Sequence, residues 1–539
     1  GSAMGIYDTR SCLESGQEAA KSVLQALNMA CEDFATLDIK DTGLVSEPLA
    51  LWQVPSQGKA FVDFQNDVTS SDIGLAHREG YRSVEHLKRY TTTGMGTDQG
   101  KTSNVNALAL MANLCDAPIN TIGTTTFRPP YTPQSFGALA GANTGSRFMQ
   151  TRTTPMHRYH SDLGAVFEDV GDWKRARYYP QDSEDMLQAV NRECLAVRTH
   201  VGLLDASTLG KIDIRGPDAT KLLNMVYTNA WNKLGIGKCR YGLMMNENGM
   251  VFDDGVTTRL GEYHYHMTTT TGGAARVLSW LEEWLQTEWP HWQVYCTSVT
   301  EQWAVATISG PKARDLLQPL CDIDLASENF PFMTMQTGKV AGMPARIFRI
   351  SFTGELSFEV NIPARFGAKL WRVLYEAGQA HGLVPYGTEA MHVLRAEKGF
   401  IIVGQETDGM ITPNDLGMEG MVSKTKDCLG KRSLARPEMQ RKDRRQLVGF
   451  IPVDHAQILP EGAHLVRNVQ DRPPMVIKGN ITSSYYSSNL GHPFGLAMLE
   501  AGHISKGDEF FVPLHDGTAP RVKIVAPVFI DQAGERMRG

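Results

Sequence analysis

Two stretches of this 539-residue chain repeat one design: KIDIRGPDATKLL from Lys211 and WAVATISGPKARDLL from Trp303. Each is an alternating, strand-like run that passes through G-P-x-A-x-x-L-L into a helix. Pro217 and Pro311 are expected in the first helical turn, where a missing N–H costs nothing and the fixed φ is already helical. One such unit cannot bury its apolar face alone. Two in one chain predict a pseudo-symmetric α+β core of split βαβ type.

The chain is too long for one hydrophobic core, so further domains are expected on either side. A formal charge of -6, with no basic stripe, gives no electrostatic reason to expect nucleic acid. No apolar run is long enough for a membrane span and no secretory leader is seen, so neither membrane attachment nor export is expected. Eight scattered cysteines without a C-x-x-C pair fit reduced thiols in a cytoplasm better than disulfides or zinc. Residues 1–4 (GSAM) read as an expression scar. Apolar spacing predicts helices over Glu18–Cys31, Asp72–Glu79 (capped by Thr69 or Ser70), Ser83–Tyr90, Val105–Leu114, Ala274–Gln286, Phe366–Ala380 and Thr388–Lys398. Ile39–Gly58 reads as loop or short strands, and the Pro/Thr/Gly/Ala-rich residues 124–150 as an extended connector. Beyond Arg441, short alternating strands separated by turn residues predict a small barrel or sandwich over residues 441–539.

One stretch carries paired acids. In NENGMVFDDGVTT, Asn246–Thr258, the Asn248-Gly249 pair signals a hairpin turn. Asp253 and Asp254 follow on the return strand, where neighbouring side chains leave on opposite faces. Only one can enter a cleft. His264 and His266 alternate on one strand face; with no third ligand in sight they do not make a metal site.

Six collinear motifs carry a resemblance. HSDLGAVFEDVGDW (His160–Trp173), VRTHVGLLDASTLGKIDIRGPDA (Val197–Ala219), YGLMMNENGMVFDDGVT (Tyr241–Thr257), SFTGELSFEV (Ser351–Val360), VGQETD (Val403–Asp408) and GNITSSYYSSNLG (Gly479–Gly491) resemble the glycine-cleavage T-protein, or aminomethyltransferase, family. Within it, FVDFQNDVTSSDI, KRYTTTGMGTDQGKTSN, GTTTFRPPYTP and GTEAMHVLRAEKGFIIVGQETDG resemble the α subunits of heterotetrameric sarcosine oxidases. The resemblance implies a folate-binding core over residues 151–440 with a carboxy-terminal β-barrel. It implies that residues 5–57 are the remnant of an upstream dinucleotide-binding region. Residues 58–123 resemble the small helical domain of bacterioferritin-associated ferredoxin type. Asp63, Gln65, Asp98 and Ser103 stand where that family has cysteines, and these hard ligands do not suit an iron-sulfur cluster.

The implied activity passes a one-carbon unit, held on an amine as a methylene iminium, to tetrahydrofolate, giving 5,10-methylenetetrahydrofolate. NAD is expected only in a domain absent from this sequence. Flavin is expected only on a partner β subunit, which with smaller subunits completes a hetero-oligomer. By resemblance Asp254 is the essential acid, a proton acceptor or an electrostatic stabiliser of the cation, and Asp253 its structural neighbour. Glu359 is the pterin ligand, since an ionised carboxylate can accept two adjacent N–H donors. Tyr241 and Phe352 correspond to aromatic wall positions and Leu209 to an apolar one. Thr268 replaces a family Asn. Met391 stands where free T-proteins place an Arg near the folate tail, leaving Arg395 as a substitute cation or a structural ion-pair partner. A self-sufficient T-protein-like transferase or folate-dependent demethylase is the alternative enzyme, and a non-catalytic assembly module the alternative of another class.

Overall fold

The computed structural model describes residues 4–32, 38–40, 50–455, 457–470 and 472–539. Most of the expected scar and part of the Ile39–Gly58 stretch lie outside these residues. The chain divides into two compact units, Gly1–Thr144 and Gly145–Gly539.

In the first unit, helix α1 (Thr9–Ala26) starts nine residues before the expected helix. The apolar spacing pointed inward along the chain, but Asp8 caps the true start by accepting from the Ser11 N–H at 2.8 Å. The strands β1 (Phe61–Asp63) and β2 (Val68–Thr69) precede α2 (Ser70–Arg78), α3 (Val84–Thr91), α4 (Asn104–Leu114) and α5 (Ile119–Ile122). Thr69 and Asp72 form a reciprocal capping box at α2. Val68, Ile73, Leu87, Leu108 and Met111 bury the small core. A short helix α6 (Phe136–Ala140) interrupts the segment read as extended.

The four positions compared with cluster cysteines are drawn together by ordinary hydrogen bonds. Asp63 accepts from the Gly94 N–H at 2.6 Å and from Ser103 Oγ at 3.5 Å. Gln65 Oε1 accepts from the Asp98 N–H at 3.2 Å, and Asp98 from Thr102 Oγ1 at 2.7 Å. Hard oxygens saturated by protein donors do not suit an iron-sulfur cluster.

The second unit opens with α7 (His157–Asp162), a hairpin of β3 (Val166–Val170) and β4 (Trp173–Tyr178), α8 (Met186–Thr199) and β5 (Val201–Asp205). The first repeat then runs β6 (Gly210–Arg215), α9 (Ala219–Val226), β7 (Cys239–Met245), β8 (Val251–Gly261), β9 (His264–Thr269), α10 (Ala274–Thr287) and β10 (Tyr295–Ser298). The second runs β11 (Trp303–Ser309), α11 (Ala313–Leu317), β12 (Thr334–Val340), β13 (Met343–Arg349), β14 (Ser357–Pro363), α12 (Gly367–Gly378) and β15 (Leu383–Pro385). The sheets repeat the same order, β10-β6-β9-β8-β7 and β15-β5-β11-β14-β13-β12, with β5 inserted in the second. Pro217 and Pro311 fall in the turns leading into α9 and α11, two residues ahead of each helix, rather than in its first turn. The glycines before them have matching φ, +133° at Gly216 and +131° at Gly310. A Cβ would strike Gln293 O at 2.0 Å in one turn and His200 O at 2.5 Å in the other, so both turns require glycine.

Helix α13 (Thr388–Glu397) leads to the last domain, β16 (Arg445–Pro452), β17 (His464–Val466), β18 (Ile477–Ser487), β19 (His492–Glu500), β20 (Glu509–Phe511) and β21 (Arg521–Val525), with α14 (Glu535–Arg538) at the end. The strands close into a barrel, which removes exposed sheet edges. Serines of the barrel join buried ion pairs of the core. Arg395 pairs with Glu406 at 2.8 Å and Arg198 with Glu397 at 2.6 Å, while Ser483 Oγ of the barrel donates to Glu406 at 2.6 Å and Ser487 Oγ to Glu397 at 2.5 Å.

Candidate active site between the two sheets

Strand alternation separates the paired acids. Asp253 is fully buried, and its carboxylate accepts from the N–H groups of Asp254 and Thr270 and from the Thr270 hydroxyl at 2.8, 3.2 and 3.0 Å. It holds the backbone, as expected of the structural partner. Asp254 leaves the other face, partly exposed, and accepts from the Tyr241 phenol at 2.7 Å. Burial pushes the pKa of Asp254 up to about 7, with the Tyr241 hydrogen bond pulling it down and the charge of Asp253 adding to the push.

Ladder register puts further polar groups on the face of Asp254. Tyr241 lies opposite Val256, Leu243 opposite Asp254, Lys211 opposite Thr268 and Asp213 opposite His266. Asp254, Tyr241, Thr268, His266, Lys211 and Asp213 therefore share one surface. The second sheet meets it with the row Phe348, Glu359, Thr307 and Leu204. The His266 ring lies 6.0 Å from that of Phe348, which brackets Glu359 from the next strand.

Glu359 is partly exposed and makes no hydrogen bond or ion pair among the described residues. Burial pushes its pKa up to about 7, against the nearby positive charge of Lys211. Lys211 is itself buried, donates to the carbonyls of Ser207 and Leu209 at 2.9 and 2.8 Å, and is pulled down to about 8 by desolvation. A half-desolvated carboxylate without protein donors is a vacant acceptor pair.

The remaining expected residues divide. Leu209 and Phe352 are partly exposed, and Phe352 stacks on Phe400 with centroids 6.2 Å apart. The Thr268 hydroxyl is spent inside its own sheet, accepting from the Val256 N–H at 3.0 Å and donating to its carbonyl at 2.9 Å. Arg395, considered for the folate tail, is wholly buried and donates to Phe400 O, Glu406, Gln405 and Ser483. It is a structural ion-pair residue, because those acceptors take its Nη1 and Nη2 groups, leaving only a buried Nε without an acceptor. His264 and His266 both bond Asp213, at 2.8 Å each, and among the described residues no group of three His, Cys, Asp or Glu is arranged to hold a metal ion.

Lys211 was missed from the sequence, although a lysine inside an otherwise buried strand was a signal. Also missed was a buried chain in which Tyr179 OH meets His160 Nδ1 at 2.9 Å and His160 Nε2 meets Asp205 at 3.0 Å. Its members come from separate elements, so spacing gave no sign of it.

Comparison with known proteins agrees with this architecture. The GCVT N-terminal domain model matches residues 156–426, and the glycine cleavage T-protein C-terminal barrel domain model matches residues 445–531. The chain belongs to the glycine-cleavage T-protein family. It is 31% identical to the aminomethyltransferase of Saccharopolyspora erythraea, over 70% of this chain and 98% of that protein. The sarcosine oxidase A3 domain model matches residues 57–143. Over its whole length the chain is similar to sarcosine oxidase α subunits, 49% identical in Corynebacterium sp. (strain P-1) and 44% in Rhizobium meliloti. It spans 57% and 55% of the length of those two relatives. Aminomethyltransferase T from Bartonella henselae shares the fold, with a TM-score of 0.62 at 24% identity, over 71% of this chain and 99% of that one. Among the described residues no helix is long and apolar enough to cross a membrane, and all eight cysteines are free.

Proposed function

We propose that this chain binds tetrahydrofolate between its two sheets and transfers to it a methylene unit carried on an amine. The observation that carries the reading is Glu359, a partly exposed carboxylate with no hydrogen-bond or ion-pair partner among the described residues, in the inter-sheet layer that also holds the Tyr241–Asp254 pair. The flat pterin presents adjacent N–H donors, which an unpartnered carboxylate can accept in bidentate fashion. Tyr241, Phe352 and Leu209 supply apolar and aromatic wall.

In the transfer, two carbon–nitrogen single bonds form, from the iminium carbon to folate N5 and N10, and the carbon–nitrogen double bond to the carrier amine is broken in two steps, first its π and then its σ component. The hydrogens on N5 and N10 end on the departing amine, so no net proton or electron is consumed. Asp254, with a pKa of about 7, is suited to relay one of those protons at neutral pH, and its ionised form favours the cationic carbon. Burial that raises this pKa also strengthens its electrostatic effect.

In this reading the iminium comes from oxidation of an N-methyl amine, sarcosine or a relative, by a flavin-bearing partner subunit of a sarcosine-oxidase-type hetero-oligomer in the cytoplasm. NAD and flavin then belong to segments and subunits other than this chain. The likeness of the whole of this chain to just over half the length of sarcosine oxidase α subunits supports that setting. Titration of the chain with tetrahydrofolate, repeated with Glu359→Gln and Asp254→Asn, tests the reading. Saturable binding lost in Glu359→Gln, and binding kept but transfer lost in Asp254→Asn, is the expected pattern. Absence of binding by the native chain overturns it.

A further inference from the structure

We infer that Lys211 is a positioning residue of this site: its buried ammonium, pinned to the turn that joins the two sheets, is the cation that keeps Glu359 a charged acceptor for the pterin. The inference rests on the folate reading above and deepens it, by naming what prepares the carboxylate for its ligand.

Strand alternation puts the two groups in one layer. On β6, Ile212 and Ile214 share a core with Leu222 of α9 and Leu281 of α10, so Lys211 and Asp213 face the second sheet. On β14, Phe358 and Val360 share a core with Leu317 of α11 and Leu374 of α12, so Glu359 faces the first sheet. The Lys211 ammonium is anchored between β5 and β6, donating to Ser207 O at 2.9 Å and to Leu209 O at 2.8 Å. That turn is itself fixed to the second sheet, because Ser207 Oγ accepts from the Val305 N–H of β11 at 2.9 Å. Val305 is two residues from Thr307, the ladder partner of Glu359.

The turn alone does not account for a lysine. Two carbonyls call for two donors, not for a charge, and Lys211 is 1% exposed with no ion-pair partner among the described residues. Burying an unpaired ammonium is costly, and desolvation lowers its pKa to about 8. The other charged groups of the layer are engaged elsewhere. Asp205 accepts from Thr154 and the Ser207 N–H and meets His160, Asp213 meets His264 and His266, Asp254 accepts from Tyr241, and Arg346 lies over the Trp303 ring. Burial holds the Cys239 thiol and the Tyr386 phenol neutral. Lys211 is the group whose charge acts on Glu359. Beside Glu359, the Thr307 hydroxyl is buried without a partner, so the adjoining strand gives it no donor either. The two unpaired groups offset each other's burial without touching, which leaves both oxygens of Glu359 open to donors from a ligand.

The test is tetrahydrofolate affinity as a function of pH, measured without oxygen for the native chain, Lys211→Met and Lys211→Arg. It is paired with the infrared band of the protonated Glu359 carboxyl, identified by its absence in Glu359→Gln. Native affinity is expected to rise with pH through about 7, as Glu359 ionises. Without the ammonium the carboxyl stays protonated to higher pH, by on the order of one pH unit. Lys211→Met is then expected to bind roughly fivefold more weakly at pH 7 and to approach the native affinity by about pH 9, with the carboxyl band persisting over the same range. Lys211→Arg keeps the charge and is expected to restore the native profile. A loss of equal size at every pH, which a disturbed Ser207–Leu209 turn alone would give, overturns the inference and leaves the folate reading standing, as does an unmoved profile or band. If the native chain binds no tetrahydrofolate while the band still moves in Lys211→Met, the folate reading falls and the charge relation between Lys211 and Glu359 stands without that ligand.

Discussion

The phenol of Tyr241 donates to Asp254 Oδ2 across the β7–β8 ladder at 2.7 Å, while Asp253, one residue away, accepts from the Asp254 N–H and from the Thr270 N–H and hydroxyl, with Arg276 of α10 at 3.9 Å. The phenol stabilises the ionised acid; Tyr241→Phe removes that support. The pKa of Asp254 should then rise from about 7, by on the order of one pH unit for a hydrogen bond to a charged group. The acid limb of the pH–rate profile for methylene transfer is expected to move to higher pH by that amount, with the rate recovering on the alkaline side. An unmoved limb would remove Asp254 from proton relay.

Glu359→Gln should change stability and binding in opposite directions. The folded-state pKa of Glu359 is raised, from an ordinary 4.5 to about 7, so the fold binds this proton more tightly than the unfolded chain does. Stability therefore falls as pH rises from about 4.5 through about 7. The rise corresponds to roughly 3 kcal/mol, an upper bound because the group keeps some contact with solvent. The glutamine variant is expected to melt higher than the native chain at pH 8, to match it near pH 4, and to lose tetrahydrofolate binding. A lower melting point at pH 8 would make Glu359 a structural acid.

The glycines before the two prolines allow a third test. Gly216→Ala and Gly310→Ala each place a Cβ against backbone oxygen, at 2.0 and 2.5 Å, at a φ that L-residues rarely adopt. Each is expected to cost a few kcal/mol in urea unfolding, about 1–3 from backbone strain alone, with the steric clash added. A neutral effect at either site would show that the two turns are not equivalent.

How much could be read in advance follows from what each signal depends on. The repeat, the helices α2, α3, α4, α10, α12 and α13, and the Asn248-Gly249 hairpin rest on local spacing and turn chemistry, and they appear within a few residues of expectation. The start of α1 was misjudged because apolar periodicity was weighed and the Asp8 cap was not. The separation of Asp253 from Asp254 followed from strand alternation. Lys211 and the Tyr179–His160–Asp205 chain were missed that way. Their meaning comes from which residues the fold brings opposite them, and side chains from just after β4 and from α7, β5 and β6 meet only after long-range pairing. Arg395 shows the reverse: its place one helical turn from Met391 allowed either a substitute cation for the tail or a structural ion-pair partner, and tertiary structure turns it onto Glu406.

Arg395→Met separates that structural role from ligand binding. Removing the cation leaves Glu406 buried and unpaired, a loss of about 3–5 kcal/mol for breaking one side of a buried pair. Methionine fills much of the volume but offers nothing to Glu406, Gln405 or Ser483, so the seam between α13 and β18 should loosen first. Denaturant unfolding is expected to show the loss, with hydrogen exchange rising along α13 and β18. The double variant Arg395→Met with Glu406→Leu should recover much of the stability, because the unpaired charge is gone. Below its unfolding transition, Arg395→Met should bind tetrahydrofolate with native affinity. A loss of tetrahydrofolate binding by the folded variant would return Arg395 to the ligand.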